Sequence, residues 1–311
     1  MTLTNIRKMF NVPILIIIFN RPDFAKKVYE ALSELKPSKL FVISDGPRTL
    51  DDEKDILLSR NIFNTITWNC EVKYNYLIAN IGLRKLISGG ITWAFQNEEK
   101  LIILEDDCIP HPDFFTFCED LLIKYQDDNR IMTINGCNLN PNLSQNNSEL
   151  FFFSKYANSW GWATWKRAWK LFDSELVGLE NKNSAKNFAF NLPYRYRSAL
   201  YWHYKLNEVK NSKINSWAYR WMFTLWLNNG LAIVPHSNLI QNIGNDKRST
   251  NTKGNLHYLN ICTTTLNKNK SKDPLCIIAN LYYDKWLEDT IYSKSVINRF
   301  NWVVKKILHV I

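Results

Sequence analysis

The sequence lacks the motifs of several common protein classes. Its six cysteines are scattered without a Cys-x-x-Cys pair, which argues against a zinc site or a redox motif and favours free thiols. The N-terminal apolar run, residues 12–19, is too short to span a membrane, and no small-residue cleavage site accompanies it. We therefore expect neither a membrane span nor a signal peptide there.

Glycine-rich phosphate-binding loops are also missing. Neither a Gly-x-Gly-x-x-Gly fingerprint nor a Walker loop occurs, which disfavours a Rossmann dehydrogenase and a P-loop enzyme. The chain is basic, with 39 Lys and Arg against 29 Asp and Glu and a formal net charge of +10. This charge favours anionic partners such as nucleotide phosphates or acidic membrane surfaces. No basic block of a nucleic-acid-binding type stands out, so we expect no nucleic-acid partner.

The most informative feature present is an acidic triplet, Glu105, Asp106 and Asp107, directly after the apolar run Leu-Ile-Ile-Leu. A short, Ile-rich run predicts a buried strand. Pro110 and Pro112 prevent a helix from starting directly after the acids. We therefore expect the carboxylates at the carboxyl end of a strand, where open α/β sheets bind their ligands.

Adjacent carboxylates repel one another, and gathering three of them is costly unless a cation neutralises them. A hard divalent ion, Mn²⁺ or Mg²⁺, suits carboxylate oxygens and leaves coordination positions for phosphate oxygens. The alternative is a solvated acidic loop, which is common for triplets of this kind. The placement directly after a strand favours the metal site.

Strand-like and helix-like segments alternate through the first 135 residues, which predicts an α/β fold with a mostly parallel sheet flanked by helices. Arg21 follows the first predicted strand and Asp45 follows the second. Because the carboxyl ends of parallel strands share one edge, these residues and the acidic triplet would meet there and suit a metal-bound nucleoside diphosphate. The alternatives are a surface ion pair for Arg21 and an ordinary turn residue for Asp45.

Two aromatic motifs and a basic tail mark the rest of the chain. The first motif, Trp160-Gly161-Trp162, places two flat aromatic rings on either side of a glycine, a residue that lets a ligand approach the backbone closely. An aromatic cluster in the core is an equally good interpretation. Ser216 opens a predicted helix with the sequence Ser-Trp-Ala-Tyr-Arg-Trp. Residues 295–311 have apolar residues at helical spacing with basic residues between them, which fits either a membrane interface or packing on the domain.

In order and spacing, these motifs resemble nucleotide-sugar glycosyltransferases of the GT-A fold, and more narrowly bacterial relatives of the N-acetylglucosaminyltransferase I family. The resemblance covers residues 12–250 and rests on five segments, namely Phe19-Asn-Arg-Pro, Ile43-Ser-Asp-Gly, Leu104-Glu-Asp-Asp with Pro-x-Phe-Phe after it, Trp160-Gly-Trp-Ala-Thr-Trp and Ser216-Trp-Ala-Tyr-Arg-Trp.

The resemblance implies a GT-A (Rossmann-like) domain over residues 1–254 and a helical C-terminal extension over residues 255–311. Within the domain, the nucleotide-binding half would span residues 12–135 and the acceptor half residues 136–254. The implied activity is metal-dependent, inverting transfer of a sugar from a nucleotide-diphosphate donor, with UDP as the expected nucleotide, to a glycan or glycoconjugate. For a basic bacterial enzyme, we expect a lipid-linked glycan as an acceptor and a role in polysaccharide biosynthesis. The expected location is the cytoplasm, at the inner face of the membrane.

The resemblance also implies roles at the donor side. Arg21 and Asp45 would hold the nucleotide, with Asp45 reading the base. Glu105 and Asp106 would contact the donor sugar and the ribose. Asp107 would bind Mn²⁺ or Mg²⁺ that bridges the diphosphate.

At the acceptor side the resemblance implies Trp160, Gly161, Trp162 and Trp217. The residue after Trp217 is in this family an acid that serves as catalytic base, but here it is Ala218, and a methyl group cannot take a proton.

The chain is therefore an engineered base-deleted variant, a natural inactive member, or an enzyme whose base lies elsewhere, and the intact surrounding motif favours the first. The alternative function is a non-catalytic sugar-nucleotide-binding protein. A nucleotidyltransferase ranks last because no glycine-rich N-terminal loop is present for a triphosphate.

Overall fold

The computed structural model describes residues 9–144, 149–179, 188, 196–246, 248, 261–266 and 272–292. The strands in these ranges are β1 (Ile14–Ile18), β2 (Lys39–Ser44), β3 (Glu71–Tyr76), β4 (Lys100–Glu105), β5 (Cys108–Pro110), β6 (Ile131–Asn135), β7 (Phe151–Ser154), β8 (Trp162–Trp165), β9 (Leu231–Pro235) and β10 (Ile240–Asn242). The α-helices are α1 (Pro22–Leu35), α2 (Leu50–Asn64), α3 (Leu83–Ala94), α4 (Pro112–Lys124), α5 (Lys166–Trp169), α6 (Tyr196–Lys210), α7 (Trp217–Leu227) and α8 (Leu281–Leu287).

Eight strands form one sheet in the order β3-β2-β1-β4-β8-β6-β9-β7. Strands β3, β2, β1 and β4 are parallel, as are β6 and β9. Helices flank the sheet, so the expected α/β class with a mostly parallel sheet is confirmed. Strands β7 and β8, which run antiparallel to their neighbours, were not predicted.

The apolar character of the inner strands explains why they occupy the centre of the sheet. All five residues of β1 are buried, and so are the apolar residues of β2 and β4. A strand that is covered on both faces needs apolar side chains on both, which accounts for their continuous Ile, Leu and Val runs. β3 is an edge strand with polar residues between its aromatic ones, and none of its residues is fully buried.

The segment 272–292 packs on the outer edge strand β7. Ala279 forms a bridge with Phe153, and Asn280 caps α8 by accepting hydrogen bonds from two amides of its first turn. The buried carboxylate of Asp284 accepts a hydrogen bond from the Ser154 hydroxyl at 2.5 Å. After α8 the chain continues as a π-helical turn, Glu288–Tyr292.

The helix expected over residues 295–311 lies outside the described residues, and the predicted division of the chain into domains stays a prediction. None of the helices within the described ranges has both the length and the apolar character needed to cross a membrane.

Candidate functional site

Three strands end side by side at one edge of the sheet. Ile18 of β1 is in register with Ser44 of β2, and Ile17 is in register with Glu105 of β4. The residues that follow these strands are therefore neighbours. The backbone amide of Phe19 donates a hydrogen bond of 3.2 Å to a carboxylate oxygen of Asp106.

Arg21 joins the acids at this edge. Its Nη2 atom lies 2.5 Å from Oδ1 of Asp106 and 3.1 Å from Oδ2 of Asp107. Burial lowers the pKa of Arg21, but the charges of Asp106 and Asp107 outweigh burial and leave that pKa raised. The guanidinium is thus held in place by two carboxylates and stays charged.

One arginine does not balance three carboxylates. Burial, followed by the charges of Asp107 and Asp106, raises the pKa of Glu105. Burial also raises the pKa of Asp106, although Arg21 opposes this shift. The carboxyl groups therefore resist being ionised together, and a divalent cation would favour their charged forms.

Asp107 is the member of the triplet best suited to a metal ion. Its side chain is 16% exposed, and Oδ1 accepts a hydrogen bond from the Cys108 thiol. Within the described residues, no group of three or more His, Cys, Asp or Glu is arranged to hold a metal. That Asp107 by itself binds Mn²⁺ or Mg²⁺, with phosphate oxygens and water completing the coordination, stays a prediction.

Asp45 is buried at the end of β2 and organises the loop in front of α3. Its carboxylate accepts hydrogen bonds from three backbone amides, those of Gly46 at 3.0 Å and of Ile81 and Gly82 at 2.9 Å. These bonds connect the end of β2 to the loop between β3 and α3. The expected reading of a nucleobase by Asp45 stays a prediction.

A polar group beside the acids was missed from the sequence. The Asp52 carboxylate accepts two hydrogen bonds from the Arg48 side chain, from Nε at 2.8 Å and from Nη2 at 2.9 Å. It accepts one more from the Arg48 backbone amide at 3.1 Å and one from Asn20 at 2.6 Å. The Arg48 guanidinium lies over the Phe19 ring, 4.9 Å from its centroid. The i,i+4 spacing of Arg48 and Asp52 was the signal available in the sequence.

The Trp160 motif reaches the same edge because β8 pairs with β4. Ile103 is in register with Trp162, so Gly161 and Trp160 lie at the carboxyl end of β4. Gly161 has a φ of +57°, and a Cβ there would overlap Ile240. Glycine is therefore required at this position, and the tight turn places Trp160 just before β8 at this edge of the sheet.

Two of the tryptophans predicted for the acceptor side belong to the core. Trp162 is 1% exposed and stacks on Trp217, which is 4% exposed, with ring centroids 5.6 Å apart. Trp169 and Trp221 complete the cluster. A ring that is covered by other rings cannot contact a ligand. Trp162 and Trp217 are therefore core residues, and they pack beneath the residues at the edge of the sheet.

Trp160 and Ala218 line one cavity of about 280 Å³. Ala218 lies in the first turn of α7, whose cap is Ser216. Aromatic, aliphatic and small polar side chains form the rest of the wall, including Tyr219, Met222 and Tyr292. No carboxylate is among the described residues that line this cavity. The aromatic turn and the position of the expected base are thus together, but the acid itself is missing.

Comparison with known proteins gives only remote similarity, and the sequence matches no family model and no curated protein. Among solved structures, the chain is similar to a cytidylyltransferase from Leptospira borgpetersenii, with 11% identity and a TM-score of 0.33 over 53% of this chain and 64% of that one. It is also similar to 4-diphosphocytidyl-2C-methyl-D-erythritolsynthase from Anaerococcus prevotii, with 11% identity and a TM-score of 0.34 over 63% of this chain and 96% of that one. Mouse xyloside xylosyltransferase 1 has 11% identity and a TM-score of 0.33 over 69% of this chain and 81% of that one. The similar structures are thus nucleotidyltransferases and a glycosyltransferase.

Proposed function

We propose that this chain is a metal-dependent, inverting glycosyltransferase that uses a nucleotide-diphosphate sugar, with UDP as the nucleotide. The convergence of Arg21, Asp106 and Asp107 at the carboxyl edge of the sheet carries this proposal. The positive charge of Arg21 suits a diphosphate, and the neighbouring carboxylates suit the divalent metal ion that a diphosphate binds. The proposed relationship is to the N-acetylglucosaminyltransferase I family.

The donor would be held by side chains rather than by a glycine-rich loop. Asp107 would hold Mn²⁺ or Mg²⁺, which when bound stabilises the negative charge that develops on the leaving diphosphate. Arg21 fixes the carboxylates of Asp106 and Asp107 in a single arrangement. Glu105 and Asp106, next along the strand, would contact the sugar and the ribose.

The cavity beside Trp160 would receive the acceptor. Its aromatic wall suits the apolar face of a sugar ring, and Asn158 and Ser159 provide hydrogen-bonding groups. We propose a glycan or lipid-linked glycan as the acceptor, in bacterial polysaccharide biosynthesis at the cytoplasmic face of the membrane. A membrane contact through the predicted C-terminal helix is part of this proposal.

A second function is favoured by one observation. Inverting transfer needs a base for the acceptor hydroxyl, and the described cavity wall has Ala218 where the family has its acid. A sugar-nucleotide-binding protein without catalysis would need no such base. This alternative and the transferase make the same prediction for donor binding but different predictions for turnover.

Calorimetry with UDP and Mn²⁺ tests the donor site. We expect binding that depends on Mn²⁺ and is lost in Asp107→Ala, because this variant removes the proposed metal ligand. Asp127→Ala is the matched control, since Asp127 is an exposed carboxylate directly after the α4 region. Equal binding of UDP by Asp107→Ala and Asp127→Ala, or binding without any dependence on Mn²⁺, would contradict the proposed site.

A panel of nucleotide sugars in a thermal-shift assay with Mn²⁺ then identifies the donor. We expect one UDP-sugar to raise the melting temperature more than UDP does, because the sugar adds contacts to Glu105 and Asp106. If no nucleotide sugar and no nucleotide raises the melting temperature, both candidate functions are wrong.

A further inference from the structure

The turn after β2 is held rigidly in place. A Cβ at Gly46 would overlap the backbone of Ile78, so the two segments are in direct backbone contact. The Asn80 side chain donates a hydrogen bond of 2.8 Å to the Gly46 carbonyl. Asp45 binds the following loop through two more amides. Residues that follow this turn therefore begin from a backbone that is fixed against residues 78–82.

Arg48 is the residue that this turn presents. Two of its nitrogens bind the two oxygens of Asp52, and this fork fixes the plane of the guanidinium. Its Cζ atom lies over the Phe19 ring, 4.9 Å from the ring centroid. The backbone amide of Phe19 donates a hydrogen bond to Asp106, so Phe19 contacts both the Arg48 guanidinium and the acidic triplet.

The outer part of Arg48 is available to a ligand. Its side chain is 50% exposed, and Nη1 makes no hydrogen bond to any described residue. Asp52 balances its charge, so an anion would gain less from Arg48 than from an unpaired cation. A flat guanidinium remains a good stacking surface for an aromatic ring whether or not its charge is balanced.

We propose that Arg48 binds the nucleobase of the donor by stacking its guanidinium plane on the ring. This inference rests on the proposed function and adds to it the group that holds the base. Three backbone amides already donate to the Asp45 carboxylate, whose two oxygens accept about four hydrogen bonds, so a base would gain from a further contact at this edge. Arg48, beside Phe19 and next to the diphosphate site, provides it.

The test compares a ligand that has a base with one that lacks it. We expect Arg48→Gln to weaken Mn²⁺-dependent UDP binding about tenfold, as loss of base stacking does, and to leave the affinity for Mn²⁺-pyrophosphate unchanged. Arg48→Lys should weaken UDP binding to the same extent, because lysine keeps the charge but has no plane to stack.

Arg130→Gln is the matched control. Arg130 makes the same fork to an aspartate, with Nε at 3.0 Å and Nη2 at 2.7 Å from the carboxylate oxygens of Asp128, but at the start of β6. This variant should bind UDP as the unmodified chain does. Melting temperatures of all variants show whether each one folds, and Arg48→Lys provides the comparison if Arg48→Gln does not.

The outcomes separate the two proposals. If UDP binding falls in both Arg48 variants while pyrophosphate binding persists, base stacking is supported. Equal weakening of UDP binding and pyrophosphate binding, or full UDP affinity in Arg48→Lys, would mean that Arg48 acts through its charge. Unchanged UDP affinity in both variants would mean that Arg48 does not contact the donor. Each of these results overturns this inference but not the proposed function. Failure of the unmodified chain to bind UDP with Mn²⁺ overturns the proposed function and this inference with it.

Discussion

The backbone of Gly244 lies directly against the carboxylate of Asp107. A Cβ at position 244 would overlap Oδ2 of Asp107 and would lie 2.9 Å from its Cγ. The contact is possible because β10 pairs with β5, and the Ile243 amide donates a hydrogen bond to the Asp107 carbonyl at 2.9 Å. The segment that follows β10 thus limits where the side chain of the proposed metal ligand can point.

Gly244→Ala should therefore impair the metal site without unfolding the protein. The added methyl group displaces a side-chain end rather than backbone, so we expect a stability loss of about 1 kcal/mol. Affinity for Mn²⁺-UDP should fall about tenfold or more, as it does when the groups around a metal ligand change. Calorimetry and thermal unfolding measure both effects.

Gly89→Ala is the control for this substitution. An added Cβ at Gly89, within α3, meets nothing within 4 Å, so this variant should gain about 0.5–1 kcal/mol of stability and bind Mn²⁺-UDP normally. If Gly244→Ala and Gly89→Ala bind Mn²⁺-UDP equally well, the orientation of Asp107 is not important for binding.

Ala218→Asp should restore transfer if a base is missing. We expect the rate to rise by a factor on the order of 10²–10⁴ while donor affinity barely changes, because the acid acts on the acceptor hydroxyl. The change should also stabilise α7, since its first turn has no acid, by about 0.3–1 kcal/mol. Ala218→Asn tests the charge, because it has the same shape and cannot accept the proton. Equal turnover in the Asp variant, the Asn variant and the unmodified chain would contradict the assignment of the base to position 218. Absence of transfer in all three, with UDP still bound, would favour the non-catalytic alternative.

The two tryptophans of the Trp-Gly-Trp turn should respond differently to removal. Trp162→Ala leaves a large hole in the aromatic cluster, and we expect a loss of about 3–5 kcal/mol in urea unfolding. Trp160→Ala removes a ring from the cavity wall, so its main effect should be a higher KM for the acceptor. A large stability loss in Trp160→Ala with an unchanged KM would assign both rings to the core.

Asp52 should contribute to stability at neutral pH and lose that contribution in acid. Hydrogen bonds from Arg48, helped by Asn20, lower the pKa of Asp52 to about 2, against burial. Because the pKa of Asp52 is lower in the folded state, its contribution to the free energy of unfolding is fully present above the pKa of an unfolded aspartate. This contribution is lost as the pH falls from about 4 to about 2. In urea unfolding across this pH range, the free energy of unfolding should fall less steeply with pH in Asp52→Asn than in the unmodified chain. Parallel curves would show that the Arg48–Asp52 pair does not stabilise the fold.

Local sequence patterns were sufficient for the first half of the sheet. The Ile-rich runs before Arg21 and before Glu105 have the composition of buried strands, and the prolines after the triplet allow only extended chain or the start of a helix. The strand ends and the acids at the edge could therefore be predicted without knowing any contact. Strand β8 could not, because its Trp-Ala-Thr-Trp sequence gives no period that distinguishes a strand from an aromatic turn.

The sequence by itself determined the α/β class, the carboxylates at a strand end and the absence of an acid at position 218, because each depends on residue type and on spacing along the chain. Only the tertiary structure decided that Asp45 binds a loop, that Trp162 is core and that Gly244 touches Asp107. Those contacts join residues from different elements, and the packing of the whole sheet sets which of them meet.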